Sequence, residues 1–294
     1  GRRVIIMSAT LTPDIAEALH IAYQKGWESF ASSRGISKHV NLLCTGDAKR
    51  SCFTNEGGHN ISDVLSLCRA EILKGISASP ALRRGEILPV MDGWENLVQQ
   101  VDVGCHRMHD INAENMSGFK VSVGLVKMTR ISHTTAMASQ LPSGDLSGRL
   151  RIVICLHSAF PRLHRSWIEV RLKRALTRKG GDPNKGVKDL CISQDIFERA
   201  KKLKLCDIEI VVVASPVIET GNDLDFDYAI LDPISMRSII QASGRVRRHR
   251  PATGSQPNIL IFGRSPIAMQ SRILAQPGVE TQPAPETRVE RVSL

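Results

Sequence analysis

The stretch Ser215–Arg250, reading SPVIETGNDLDFDYAILDPISMRSIIQASGRVRRHR, constrains the fold more than any other part of this 294-residue chain. It follows an apolar strand, Ile210–Ala214, and passes through a loop of Glu, Gly and Asp into a second apolar run, Tyr228–Leu231. A helix is predicted next, then the arginine cluster Gly244-Arg-Val-Arg-Arg-His-Arg250. A strand ending in a Gly/Asp loop marks the carboxyl edge of an α/β sheet, where such sheets bind ligands. Guanidinium groups stay charged and hold phosphate oxygens in a two-pronged fork, so the cluster suits a polyphosphate.

The rest of the chain sets this stretch in a sheet. Strands predicted at 121–126, 150–156, 208–214, 227–231 and 258–262 alternate with helical patterns, including Thr134–Leu141 and Ile192–Leu205. That rhythm predicts an α/β fold, a mostly parallel sheet with helices on both faces. The chain opens on a strand-like run, Val4–Met7, ending in Ser8-Ala9-Thr10. Thr12 and Pro13 start a helix, Thr as cap and Pro in the first turn. Ile15, Leu19, Ala22, Tyr23, Trp27 and Phe30 then recur at helical spacing and read as a core-facing stripe. Residues 31–117 read as a linker or insertion of mixed helix and loop that carries no chemistry. The Pro/Gln/Glu-biased segment within 266–294 reads as disordered or as the start of a further C-terminal region.

The net charge of +10 and pI of about 9.5 point to a polyanionic partner. The excess concentrates in Arg162, Arg165, Arg171, Lys173, Arg174, Arg178, Lys179, Lys185 and Lys188. Seven scattered cysteines without a CxxC pair exclude a disulfide framework and fit a reducing cytoplasm. Cys105-His106-x-x-His109 lacks a second ligand pair at zinc-finger spacing, so no metal site is expected. No window approaches the ~20 apolar residues of a membrane span, and no membrane partner is expected.

Two ordered motifs make the chain recognisable. Gln241-x-x-Gly244-Arg245-x-x-Arg248 resembles motif VI of superfamily 2 helicases, and Ser215–Asp227 resembles motif V. With Pro233–Gln241 leading into the arginines, the chain is most similar to the CRISPR-associated helicase-nuclease of type I systems, subtype I-F. Ser8-Ala9-Thr10 resembles motif III, and His157-Ser158 resembles the motif IV region, with Arg162 and Arg165 just beyond.

The resemblance implies a second RecA-like helicase domain over 118–265, preceded at 1–30 by the end of the first. It implies ATP and Mg²⁺ as cofactors, bound mainly by the other motor domain. Arg245 and Arg248 would reach the nucleotide, with Arg248 at the finger position. Gln241, Gly244, Asp223, Gly221 and Glu219 would line the nucleotide site. Ser215, His157, Ser158, Arg162 and Arg165 would face DNA, and Ser8, Ala9 and Thr10 would couple nucleotide state to the DNA site. Asp225 and Asp227 would cap or brace the motif V loop. Arg247, His249 and Arg250 would be exposed or touch DNA. The implied partners are single-stranded DNA and a guide-RNA surveillance complex in a prokaryotic cytoplasm. No GxxxxGK[ST] loop, DEAD- or DEAH-like motif or HD-type metal cluster occurs in the sequence, so this chain alone is expected to be inactive. Two alternatives remain open: another superfamily 2 helicase acting on RNA or in repair, and a non-catalytic nucleic-acid-binding module.

Overall fold

The computed structural model describes residues 12–37, 43–45, 52–54, 60–77, 81–90, 93–146, 148–219, 223–250 and 255–267, with residues 4, 6 and 40. The expected Val4–Met7 strand, Ser8-Ala9-Thr10, Gly221 and the tail beyond 267 lie wholly or largely outside the described residues. The chain divides into two compact units, Gly1–Pro80 and Ala81–Leu294.

The first unit holds helix α1 (Pro13–Arg34), the antiparallel pair β1 (Leu43–Thr45) and β2 (Cys52–Thr54), and helix α2 (Ile61–Ser77). Pro13 begins α1, and Gly35 ends it with φ 64°, a left-handed turn that glycine adopts without a Cβ penalty. The expected core-facing stripe of α1 needs correction. Ala16 and Ala31 are its buried residues, whereas Ile15 and Leu19 are exposed. Helical spacing shows that apolar residues share a face; it does not supply a surface for that face to pack on.

The second unit begins with strand β3 (Gly85–Leu88) and helix α3 (Trp94–Asn112). There follow β4 (Glu114–Met116), β5 (Phe119–Lys127), α4 (Ile131–Gln140), β6 (Gly144–Leu146) and β7 (Arg149–Leu156). Helices α5 (Arg162–Leu176), α6 (Lys185–Ser193) and α7 (Ile196–Lys202) lead to β8 (Asp207–Ala214). A 3₁₀ turn (Pro216–Glu219), β9 (Tyr228–Leu231), α8 (Met236–Ser243) and β10 (Ile259–Phe262) complete it.

The strand order is β3-β10-β9-β5-β8-β7-β6, parallel except that β6 runs antiparallel to β7; β4 pairs antiparallel with the first half of β5. Side chains alternate across the sheet. Ile208, Ile210 and Val212 of β8 pack with α5, α6, α7 and α8, while Val211 and Val213 pack with α3 and α4. This is the expected mostly parallel α/β sheet with helices on both faces. The central β5 and β8 are apolar on both sides because both are covered.

Two expectations are corrected here. Residues 81–117 are not linker: β3 pairs with β10, and α3 buries Leu97, Val101, Cys105 and Met108 in the core. The helical segment expected over Ile192–Leu205 is two helices, because Asp195 takes a left-handed φ of 53°. Cys105, His106 and His109 turn towards the sheet rather than forming a ligand set. His109 meets the Ser122 hydroxyl at 2.7 Å and Asp207 at 3.1 Å, and His106 packs against Arg151. Arg151 is itself buried against Glu209 at 2.7 Å, and Tyr228 donates to the same carboxylate at 3.0 Å. Gly124 leaves room for that tyrosine ring; a Cβ there would lie 2.1 Å from it.

Candidate functional site

Strands β5, β7 and β8 end in register, Lys127 and Leu156 both opposite Ala214, which brings the next residues together at the carboxyl edge. The Ser215 amide donates to the Leu156 carbonyl at 3.0 Å, setting Ser215 beside His157. His157 is buried and stacked on Phe160, ring centroids 4.0 Å apart. Burial lowers its imidazole pKa, which favours the neutral ring. Ser158 and Arg162 are exposed, and Arg162 opens α5. Arg165 is half-buried, its Nε 3.5 Å from Glu169. Further along the same helix Arg171 stacks over the half-exposed Trp167 ring, 3.5 Å from its centroid.

Sequence reasoning missed two residues at this edge. The Thr129 amide donates to Asp232 Oδ2 at 3.1 Å. The Thr129 hydroxyl and Asp232 Oδ1 are buried without hydrogen-bond partners among the described residues. The available signal was position: each polar residue stands just after a predicted strand end.

Glu219 points inward. Its carboxylate accepts from the Ser238 hydroxyl at 2.6 Å and pairs with buried Lys127 at 3.1 Å, and Lys127 also hydrogen-bonds Ser238. Arg245 Nη2 donates to the Glu219 main-chain carbonyl at 2.6 Å. These contacts tie the turn after β8 to α8, whose first turn is capped by Ser235 accepting from the Ser238 amide. Half-buried Gln241 lies on the same helix, and Gly244 follows its end.

The segment after Gly244 sorts its arginines into two classes. The Phe226 amide donates to the Arg245 carbonyl at 2.8 Å, and the Arg247 amide donates to the Phe226 carbonyl at 3.1 Å. Arg247 adopts a left-handed φ of 48°, and both it and Arg250 are buried. Arg250 binds Asp225 at 2.8 Å, Asp227 at 2.6 Å and Glu114 at 2.8 Å. Arg178 grips Asp227 with both terminal nitrogens at 2.6 and 3.1 Å, and Arg247 pairs with Glu114 at 3.1 Å. Three guanidiniums and three carboxylates thus close on one another. Burial alone would raise the Asp227 carboxyl, but Arg178 and Arg250 outweigh it and hold it far below the usual carboxylate range. The expectation that Arg247 and Arg250 are exposed or touch DNA is therefore corrected, and Arg178, one of the concentrated basic residues, is buried with them. Desolvated guanidiniums require paired carboxylates, which β4 and the loop before β9 supply.

Arg248 belongs to the other class. It is 41% exposed, with Nε 3.0 Å from Asp223 Oδ1. His249 Nε2 meets the same oxygen at 2.8 Å, and Lys179 pairs with the other. The Lys179 hydrogen bond leads in drawing the Asp223 carboxyl down to about 2, with His249 and Arg248 adding to it against the opposing effect of burial. The structure thus gathers Asp223, Arg248, Arg245 and Glu219 around the turn after α8, and separately gathers Ser215, His157, Ser158 and Arg162 at the carboxyl edge. The first group holds two arginines and two acids, and Lys179 on Asp223 and Lys127 on Glu219 add cationic charge to it. Asp225 and Asp227 are taken up by arginines and backbone amides.

The model of the family described as CRISPR-associated nuclease/helicase Cas3, C-terminal, matches residues 120–251. A relative from Pseudomonas aeruginosa (strain UCBPP-PA14), the CRISPR-associated nuclease/helicase Cas3 subtype I-F/YPEST, is 30% identical over 304 aligned positions. That alignment takes in 97% of this chain and 27% of the relative. The protein of the same description from Pectobacterium atrosepticum is 32% identical, over 96% of this chain and 27% of its own length. The chain thus spans about a quarter of the relatives it matches. Among solved structures, T. fusca Cas3-AMPPNP superposes with a TM-score of 0.48 at 20% identity, covering 92% of this chain and 26% of that one. The matched span 120–251 contains both gathered groups of residues, and over that span the chain is similar to the C-terminal part of the CRISPR-associated nuclease/helicase Cas3.

Proposed function

We propose that this chain is the second motor domain of an ATP-driven helicase that translocates on single-stranded DNA and unwinds it in type I CRISPR interference. The observation that carries the reading is the contrast between Arg248, exposed on an ion pair with Asp223, and its neighbours Arg247 and Arg250, locked inside. An exposed ion pair contributes about 0–1 kcal/mol, so Arg248 leaves Asp223 at little cost when a more concentrated negative charge arrives. A γ-phosphate across the interdomain cleft supplies that charge. Arg248 then stabilises the transferring phosphoryl group. Arg245 is buried and committed to the Glu219 carbonyl, so it holds the turn from which Arg248 reaches. Gln241, Gly244 and Asp223 shape the same site. ATP fits the cationic surplus here, while Mg²⁺ belongs with the acidic motif of the first motor domain.

DNA lies along the carboxyl edge in this reading. Ser215 and Ser158 offer hydroxyls to phosphates, neutral His157 shapes the edge, and Arg162 and Arg165 neutralise backbone charge without reading sequence. A guide-RNA surveillance complex in the prokaryotic cytoplasm delivers the strand. Among the described residues no helix is long and apolar enough to cross a membrane.

The test compares two proteins. The full-length gene product is expected to hydrolyse ATP in a DNA-stimulated manner, and residues 1–294 alone are expected to show none. Turnover by the isolated chain would overturn this division of labour. Absence of turnover in the full-length protein, with DNA binding intact, would favour a non-catalytic binding module. Single-stranded DNA affinity should fall with salt by about 0.7 log units per log salt for each phosphate neutralised. Arg162→Ala is expected to reduce that slope by roughly one such increment in a binding titration series. An unchanged slope would remove Arg162 from the DNA track.

A further inference from the structure

We propose that Arg83 is a third arginine of the nucleotide-phosphate site, a contribution that rests on the motor reading above. Arg83 lies two residues before β3 and outside the span matched to the family. Its Nε donates to the Val246 carbonyl at 2.9 Å, within the turn that separates Arg245 from Arg248. Among the described residues the guanidinium makes that single hydrogen bond, which leaves its terminal nitrogens available to an anion. The position is fixed from the sheet side. The Arg84 amide binds the Asn258 side chain at 2.9 Å, and β3 pairs with β10 directly beyond.

The surrounding charges point the same way. Burial, followed by the neighbouring Arg248, depresses Arg245; Arg83 is depressed by burial and by Arg248, against the attraction of Asp225. Arg248 therefore stands within electrostatic reach of both other arginines. The nearby carboxylates are already engaged. Asp225 is held by Arg250 and the His249 amide, and Asp223 by Lys179, His249 and Arg248. Arg248 repels both Arg83 and Arg245, and with the nearby acids occupied a multiply charged anion stabilises the three. A purely structural clamp on the Val246 carbonyl needs only one N–H and no charge. The charge is therefore the part to test.

The experiment measures ATP and ADP affinity of the full-length protein by displacement of a fluorescent nucleotide, alongside thermal melting. Arg83→Gln is expected to weaken ATP binding roughly ten- to a hundredfold, the range for a lost charge-assisted hydrogen bond. ADP binding should weaken several-fold less, because the terminal phosphate carries the extra charge. Arg83→Lys should recover part of the loss. Arg107→Gln, which removes a charge paired to Glu86 on β3, should change neither affinity. Equal losses for ATP and ADP with a lowered melting temperature would reduce Arg83 to a clamp and overturn the proposal, as would unchanged affinities. Failure of the unsubstituted protein to bind either nucleotide would overturn the motor reading and this proposal together.

Discussion

Arg250→Ala is expected to remove about 3–5 kcal/mol of folding stability, the usual cost of breaking a buried ion pair from one side. Total stability of a domain is about 5–15 kcal/mol, so the variant should melt roughly 10 °C lower or fail to accumulate. The substitution leaves Asp225 and Asp227, both fully buried, with too few partners. Arg178 remains on Asp227, and the His249 amide remains on Asp225 at 3.1 Å. Glu114 keeps Arg247. Arg250→Lys restores the charge but not the fork that binds three carboxylates, so it should rescue only partly. The pH dependence has a definite sign. The folded pKa of Asp227 is depressed, so its contribution is complete above about pH 4 and disappears as pH falls towards the folded value. Arg250→Ala weakens that depression, and acid unfolding should shift to higher pH.

Arg248→Ala is expected to behave in the opposite way, leaving stability almost unchanged and lowering ATP turnover by roughly 10³–10⁵. Its ion pair with Asp223 is exposed, which places the loss of stability within about 1 kcal/mol. The catalytic loss is larger because an arginine finger acts where charge develops, in a cleft closed to water. Arg248→Lys keeps a point charge without the planar fork and should recover little. Single-stranded DNA affinity should stay within about twofold, since Arg248 is gathered with Asp223 and not with Ser215, Ser158 and Arg162.

These two arginines, two positions apart, also show what could be read in the sequence. Spacing from Gln241 singled out Arg245 and Arg248, and the structure brings both to the turn after α8. Spacing could not show that Arg247 and Arg250 turn inward. Their shared partner Glu114 lies 136 residues before Arg250, on a strand of three residues. The strands β5, β7, β8, β9 and β10 were legible because apolar runs covered on both sides leave a strong pattern. Strand β3 has four residues, three of them exposed, and gave no such signal. Helix α3 was obscured because part of its buried face is polar, with His109 and Asn112 buried alongside Leu97 and Val101. Glu219 was expected to face the nucleotide. A buried lysine at the end of β5 draws it inward instead, and no motif records a demand set by another strand.

In the proposed motor, Arg248 is the exposed arginine that acts on nucleotide while Arg247 and Arg250 build the fold. The most direct test is DNA-stimulated ATP turnover of the full-length protein and its Arg248→Ala variant, at equal single-stranded DNA occupancy and with melting curves recorded alongside. Turnover is expected to fall by about 10³ or more with the melting temperature and DNA affinity preserved. Turnover within a few-fold of the unsubstituted protein, at equal stability, would contradict that role of Arg248.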